Sequence, residues 1–190
     1  MKRAIVQLES AGAYQQSRYH ETPKLPKESA DSYEDRTWRE RTHYLSDGTV
    51  YIPAVQFKNA ICDIAQYLSE KIVGKGNNTW AKHFRAGIRV VDNLLLSTTK
   101  DEVEKYPQLC NSLGKRGQSG SKVKKHFPLI NSWSGEVTFF ILDDEITEEI
   151  FEKYLREAGG LIGIGKERPA NGGDFGRFIV KGIKWSNGMQ

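Results

Sequence analysis

The sequence predicts an α+β fold of ferredoxin-like type: a four-stranded antiparallel sheet with two helices on one face, in a single domain with long inserted loops. Three observations carry this. Alternating apolar strands stand near both ends of the chain, at residues 3–9 and 178–185. Two amphipathic helices, at about residues 53–72 and 147–158, each follow a strand. With insertions at about 11–47 and 97–132 set aside, the order of elements is strand, helix, strand, strand, helix, strand. Two helices then cover one sheet face and leave the other for a ligand.

Each element has its own local reason. Ala4, Val6 and Leu8 share one face of the first strand. Residues 11–47 lose that period, and Ser46-Asp-Gly48 marks a turn before a short strand at 49–52. Pro53 suits a helix start, where its missing N–H would have no intrahelical partner anyway. Phe57, Ile61, Ile64, Leu68 and Ile72 then recur at helical spacing until Gly74 and Gly76 end the run. Residues 80–86 read as a helical turn, 87–96 as a strand or strand pair, and 114–126 as a mobile loop. Residues 134–143 are the clearest strand. Thr147 caps the next helix, Glu148 and Glu149 suit its positive end, Ile146 staples to Phe151, and Gly159-Gly160 is expected to stop it in the left-handed conformation. This order is that of RRM-type domains.

Composition narrows the function classes. At 190 residues, one domain with a real core is expected, and eight Phe, eight Tyr and four Trp exclude disorder throughout. A net charge of +4 permits nucleic acid without demanding it. Cys62 and Cys110 stand far apart among apolar residues, which points to buried thiols in a reducing cytoplasm rather than a disulfide framework. The first residues run straight into strand character with no signal-peptide core, and no stretch approaches the roughly 18 apolar residues of a membrane span.

Three segments carry the candidate chemistry. Residues 159–178 hold seven glycines among Lys166, Arg168 and Arg177, ahead of the last strand. Such a segment either lies against an anionic chain or serves as a helix-to-strand connector that needs glycine for geometry. Between Gly114 and His126 the chain carries Lys115, Arg116, Lys122, Lys124 and Lys125 and no acid. These lysines follow a phosphate backbone in one reading and form a merely solvated loop in the other. Arg36, Trp38, Arg39, Arg41, His43 and Tyr44 combine guanidinium groups with rings suited to stack on unpaired bases, although Trp38 equally suits an anchor packed against the sheet.

Catalytic and cofactor signatures are weak by contrast. His20, His43, His83 and His126 have no metal-ligand spacing with one another or with cysteine, so no metal or cofactor is expected. His20 and His126 are the candidates for a general base in RNA cleavage, but no paired acid-base motif accompanies them. Asp143-Asp144 precede a helix and read as entry chemistry. Gly163-Ile-Gly165 follows a helix and leads to a strand, the reverse of a dinucleotide-binding turn, and the P-loop pattern is absent.

Two stretches and the order of elements carry a family resemblance. Tyr51-Ile-Pro-Ala-Val-Gln-Phe-Lys-Asn-Ala-Ile61 resembles the "Ile-Pro-Gly-Ser-Ser-Leu-Lys-Gly" helix start of the RAMP superfamily of CRISPR-associated RNA-binding proteins. Residues 163–178 resemble its terminal Gly-rich loop, and the order of elements agrees. Ala54 replaces the usual glycine, and Asn59 a small residue. The chain resembles small phage and prophage proteins still more closely. The superfamily resemblance implies a single RAMP-like domain over 1–190 that binds single-stranded RNA or DNA without catalysis, with copies assembling as a homo-oligomer along one strand. It leaves two alternatives open: a phage protein that mimics or binds a CRISPR effector complex, and a metal-independent endoribonuclease of the same fold.

Overall fold

The structure, a computed structural model, describes residues 1–111 and 121–187. Along the chain the elements are β1 (Lys2–Ser10), β2 (Tyr14–Gln15), α1 (Ala30–Thr37), a 3-10 turn (Trp38–Arg41), β3 (Thr49–Ile52), α2 (Ala54–Leu68), α3 (Trp80–Gly87), β4 (Ile88–Val90), β5 (Leu94–Thr99), β6 (Glu104–Asn111), β7 (Lys122–Ile130), β8 (Ser134–Ile141), α4 (Glu148–Glu157), a wide π-type turn (Ala158–Ile162), a second 3-10 turn (Pro169–Asn171) and β9 (Phe178–Asn187). They form a mixed α+β structure with antiparallel sheets.

The central sheet has the order β4-β8-β1-β9, with every neighbouring pair antiparallel. Ala4, Val6 and Leu8 are fully buried, as their alternation requires. They pair across to Phe139, Val137 and Gly135 on one side and to Trp185, Ile183 and Val180 on the other. The register steps between Gln7 and Leu8, where Lys181 is the extra residue of a bulge on β9. Without that extra residue, Phe178 and Val180 would face opposite to Ile183 and Trp185; with it, all four line the inner face.

Both long helices lie on that inner face. Phe57 of α2 meets Phe178 edge-on at 6.1 Å, and Phe151 of α4 meets Phe139 at 5.3 Å and Trp185 at 5.4 Å. Phe57, Ile61, Ile64, Phe151 and Leu155 are fully buried, and Leu68 packs against them, in one core cluster. Each such side chain contributes about 1.5–3 kcal/mol.

Several ends differ from expectation. The first helix stops at Leu68, not Ile72, because Ser69 turns left-handed (φ 49°) while Ile72 still reaches the core. Thr147 caps α4 through Oγ1, which accepts from the Ile150 N–H at 3.3 Å, as expected. The stop, however, is not Gly159-Gly160. The chain stays wound to Ile162, where the Gly163 N–H donates to Ala158 O, and Gly163 is the residue that turns to positive φ (67°). Gly159 serves a different need: a side chain there would collide with the Phe178 carbonyl.

The inserted spans also hold more structure than their composition suggested. Residues 11–47 contain β2, α1 and the first 3-10 turn. The expected loop at 114–126 is corrected in its described part: Lys122 to His126 belong to β7, which pairs with β6 over eight register positions to make a long hairpin. The lysines hid the strand period there, since a hairpin arm exposed on both faces needs no apolar alternation. Lys115 and Arg116 lie outside the described residues. Among the described residues no helix is long and apolar enough to cross a membrane.

Candidate nucleic-acid interface

The hairpin is held at its base. β2 pairs with β7 only through Tyr14 and Gln15, opposite Ile130 and Leu129. Further along β7, an ion pair from the first insertion meets the strand's backbone. Arg41 and Glu34 bond in bidentate fashion at 2.8 Å, each with a side chain only 12% exposed. Glu34 accepts from the His126 N–H at 3.3 Å, and Arg41 donates to the His126 carbonyl at 3.0 Å. The pair therefore does for His126 what a neighbouring strand would do. Burial pushes the Glu34 carboxyl up, but the hydrogen bonds and charge of Arg41 outweigh it and hold the group below the ordinary carboxylate range. Lys105 adds an ion pair to Asp35 on α1.

Beyond this root, β7 turns basic. Lys122 and Lys124 are exposed and Lys125 is half-buried, and none of the three forms an ion pair among the described residues. Leu109, paired opposite Lys124, is 66% exposed. The arm thus presents cations with no ion pair among the described residues, Lys124 beside an apolar side chain.

The Gly-rich element packs against the same hairpin. Its course is dictated by glycine at two places above all. Gly176 (φ 74°) donates to the Ala13 carbonyl at 2.6 Å and lies so close to Ile164 O that no side chain fits. Gly165 (φ 85°) sits over Tyr14, whose Cε2 would be 2.7 Å from a Cβ. Lys166 is thereby carried to β6 and β7, where its Nζ donates to Gln108 at 2.9 Å and lies 4.3 Å from the centre of the Phe127 ring. Phe175 meets Tyr106 edge-on at 5.4 Å. Sequence reasoning missed Tyr106, Gln108, Phe127 and Phe175, since nothing in the spacing of residues 104–111 linked them to a segment some sixty positions on. Phe175 inside a Gly-rich run was the one available signal.

The three cations of this element have partners within the protein. Lys166 pairs with Glu167 at 2.7 Å, Arg168 with Asp63 of α2 at 2.9 Å, and Arg177 with Asp174 at 2.9 Å and with the Gly160 carbonyl. A phosphate reaching them exchanges with these carboxylates. Partly exposed pairs of this kind contribute at most about 1 kcal/mol each. The Arg168→Ala, Arg177→Ala double variant is therefore expected to unfold only about 2–6 °C lower in a thermal melt while binding oligonucleotides more weakly. A fall beyond 10 °C with normal binding would make the element a connector only.

The aromatic insertion divides. Trp38 is 4% exposed and sits in the core, closed to a base, with Arg39 stacked over its ring at 4.5 Å. Arg41 is committed to Glu34, and Arg36 grips Glu28 through two nitrogens at 2.8 and 2.9 Å. Tyr44 donates to Glu40 at 2.6 Å, with Lys100 4.1 Å and Arg18 5.1 Å from its ring centre. Arg39 is exposed and Tyr44 half-buried, so these two remain within reach of a ligand. His126 is 6% exposed, and burial followed by the charge of Lys105 lowers its pKa. His20 bonds Thr22 at 3.1 Å and stacks near Tyr33. Among the described residues no group of His, Cys, Asp and Glu could hold a metal ion.

Comparison with known proteins bears on the fold. No family model and no curated protein matches the sequence. The structure is similar, at a TM-score of 0.54 and 10% identity, to a chain in the cryo-EM structure of a Type III-B Cmr-beta complex bound to cognate target RNA. That match covers 97% of this chain and 60% of the other, so this chain spans about three fifths of its neighbour's length. Looser similarities reach Cmr6 from Pyrococcus furiosus (TM-score 0.44, 13% identity, 94% of this chain and 98% of that one) and a chain of a CRISPR RNA-guided surveillance complex (0.40, 7%, 96% and 68%). The likeness to the first of these chains is one of fold.

Proposed function

We propose that this chain is a non-catalytic single-strand nucleic-acid-binding protein whose central sheet, β4-β8-β1-β9 with α2 and α4 on one face, is the ferredoxin-like core of a RAMP-type domain. The observation that carries the reading is the hairpin. Its stem is fixed to the body by a buried ion pair, while Lys122, Lys124 and Lys125 form no ion pair among the described residues, and Lys125, paired opposite Gln108, shares the hairpin face that Lys166 reaches. Stabilising the stem while leaving cations unneutralised suits an anionic chain. Lys166, Arg168 and Arg177 of the Gly-rich element and Arg39 and Tyr44 of the insertion complete the proposed contacts. RNA is the first choice of strand, because the fold neighbour is a complex bound to target RNA. Assembly of several copies along one strand, alone or within a CRISPR effector complex, is part of the proposal.

The test is fluorescence anisotropy with unstructured RNA and DNA oligonucleotides over a salt series. Binding with little sequence preference is expected, with log K falling linearly against log salt at about 0.7 per phosphate contacted. No binding at low salt rejects the reading.

A further inference from the structure

The sheet face away from the helices carries a second cluster. Ile88, Phe139, Ile141 and Ala4 are buried in the core and Val90 packs against it, so strand alternation turns Arg89, Phe140 and Arg3 outward. The register places these three in one row: Phe140 on β8 pairs directly with Arg3 on β1 and with Arg89 on β4. Directly paired side chains on one face lie about 5 Å apart at Cβ, so the Phe140 side chain stands on that face between those of Arg3 and Arg89. Beside it is a concavity lined by Met1, Arg89, Val91, Asp92, Phe140 and Leu142. Met1, Val91 and Leu142 are each about half exposed, giving an apolar rim where a solvated sheet needs none.

The polar groups here are uncommitted. Arg36, Arg41, Arg168 and Arg177 each hold a carboxylate, whereas Arg3, Arg89 and Asp92 form no ion pair among the described residues. The Arg3 Nε is shielded from solvent with no hydrogen-bond partner. An orphaned donor beside an outward ring is costly unless something binds there.

We infer that this concavity takes one unstacked nucleobase of a single strand, with Phe140 as the stacking wall, Arg3 and Arg89 meeting the flanking phosphates, and Asp92 reading the base edge. A carboxylate only accepts hydrogen bonds. Guanine presents two adjacent donors, N1–H and N2–H, to such a group. Uracil offers one N–H between two carbonyls that repel it, and adenine and cytosine set a ring acceptor beside their amino group. The site is therefore selective for guanine. It belongs to the four-stranded sheet and the hairpin lysines to the three-stranded one, so it rests on the single-strand reading but not on those lysines.

The test is an amide-resolved NMR titration of the full chain with 5′-GMP, 5′-AMP, 5′-CMP and 5′-UMP. Shifts are expected at residues 2–5, 88–92 and 139–142, with GMP bound about tenfold tighter than UMP. Asp92→Asn, an exposed change that leaves the melt unaltered, abolishes that preference. Phe140→Leu keeps apolar bulk but removes the ring, and lowers GMP affinity at least about fivefold. The triple variant of Lys122, Lys124 and Lys125 retains GMP binding, so failure of the hairpin reading and failure of this one are separable. Equal affinity for the four nucleotides, shifts confined to the hairpin, or an unchanged preference in Asp92→Asn overturns the assignment.

Discussion

Replacing Lys122, Lys124 and Lys125 together by glutamine is expected to weaken binding of a single-stranded oligonucleotide about a hundredfold at 0.1 M salt. Each cation that neutralises a phosphate releases counterions, contributing about 0.7 to the salt slope; three contribute about 2, or about two decades between 0.1 M and the 1 M reference. The slope should flatten by the same amount, and the loss should be uniform across sequences, since phosphate contacts carry no base information. Because these lysines form no ion pair among the described residues, the thermal midpoint should stay within a degree or two of the parent. Unchanged affinity and slope would move the interface off the hairpin.

Glu34→Ala is expected to be the most destabilising of the changes considered. It leaves the Arg41 guanidinium buried without its carboxylate and deprives the His126 N–H of its acceptor. Removing one partner of a buried pair costs about 3–5 kcal/mol, which for a chain of this size is a fall of about 6–20 °C in midpoint. The pH dependence follows from the lowered Glu34 pKa. Its contribution to stability is complete above the unfolded value, near 4.5, and is lost as the pH falls through the lower folded value. The gap between parent and Glu34→Gln melts should therefore be constant from pH 7 to about 5 and close in stronger acid. A gap that persists unchanged at pH 2 would show that the carboxylate charge is not what holds the hairpin stem.

These two variants separate what the hairpin binds from what holds it, a division that falls between sequence and structure. The sequence by itself determined the core elements. Period two in residues 4, 6 and 8, period 3.6 in residues 57–68, and the Thr147 cap are local patterns, and burial of one face follows from them whatever else the chain does. It also marked the residues where charge and glycine concentrate. Tertiary structure alone decided which cations stay free. Arg41 reads in sequence like any exposed arginine, yet Glu34 and His126 absorb it; Arg168 finds Asp63 more than a hundred positions away; Trp38 goes to the core. Pairing across such separations leaves no periodic trace, because only the folded backbone sets the distances on which a Coulomb interaction or hydrogen bond depends. The same holds for Arg3, Phe140 and Arg89, three ordinary residues until antiparallel register sets them side by side.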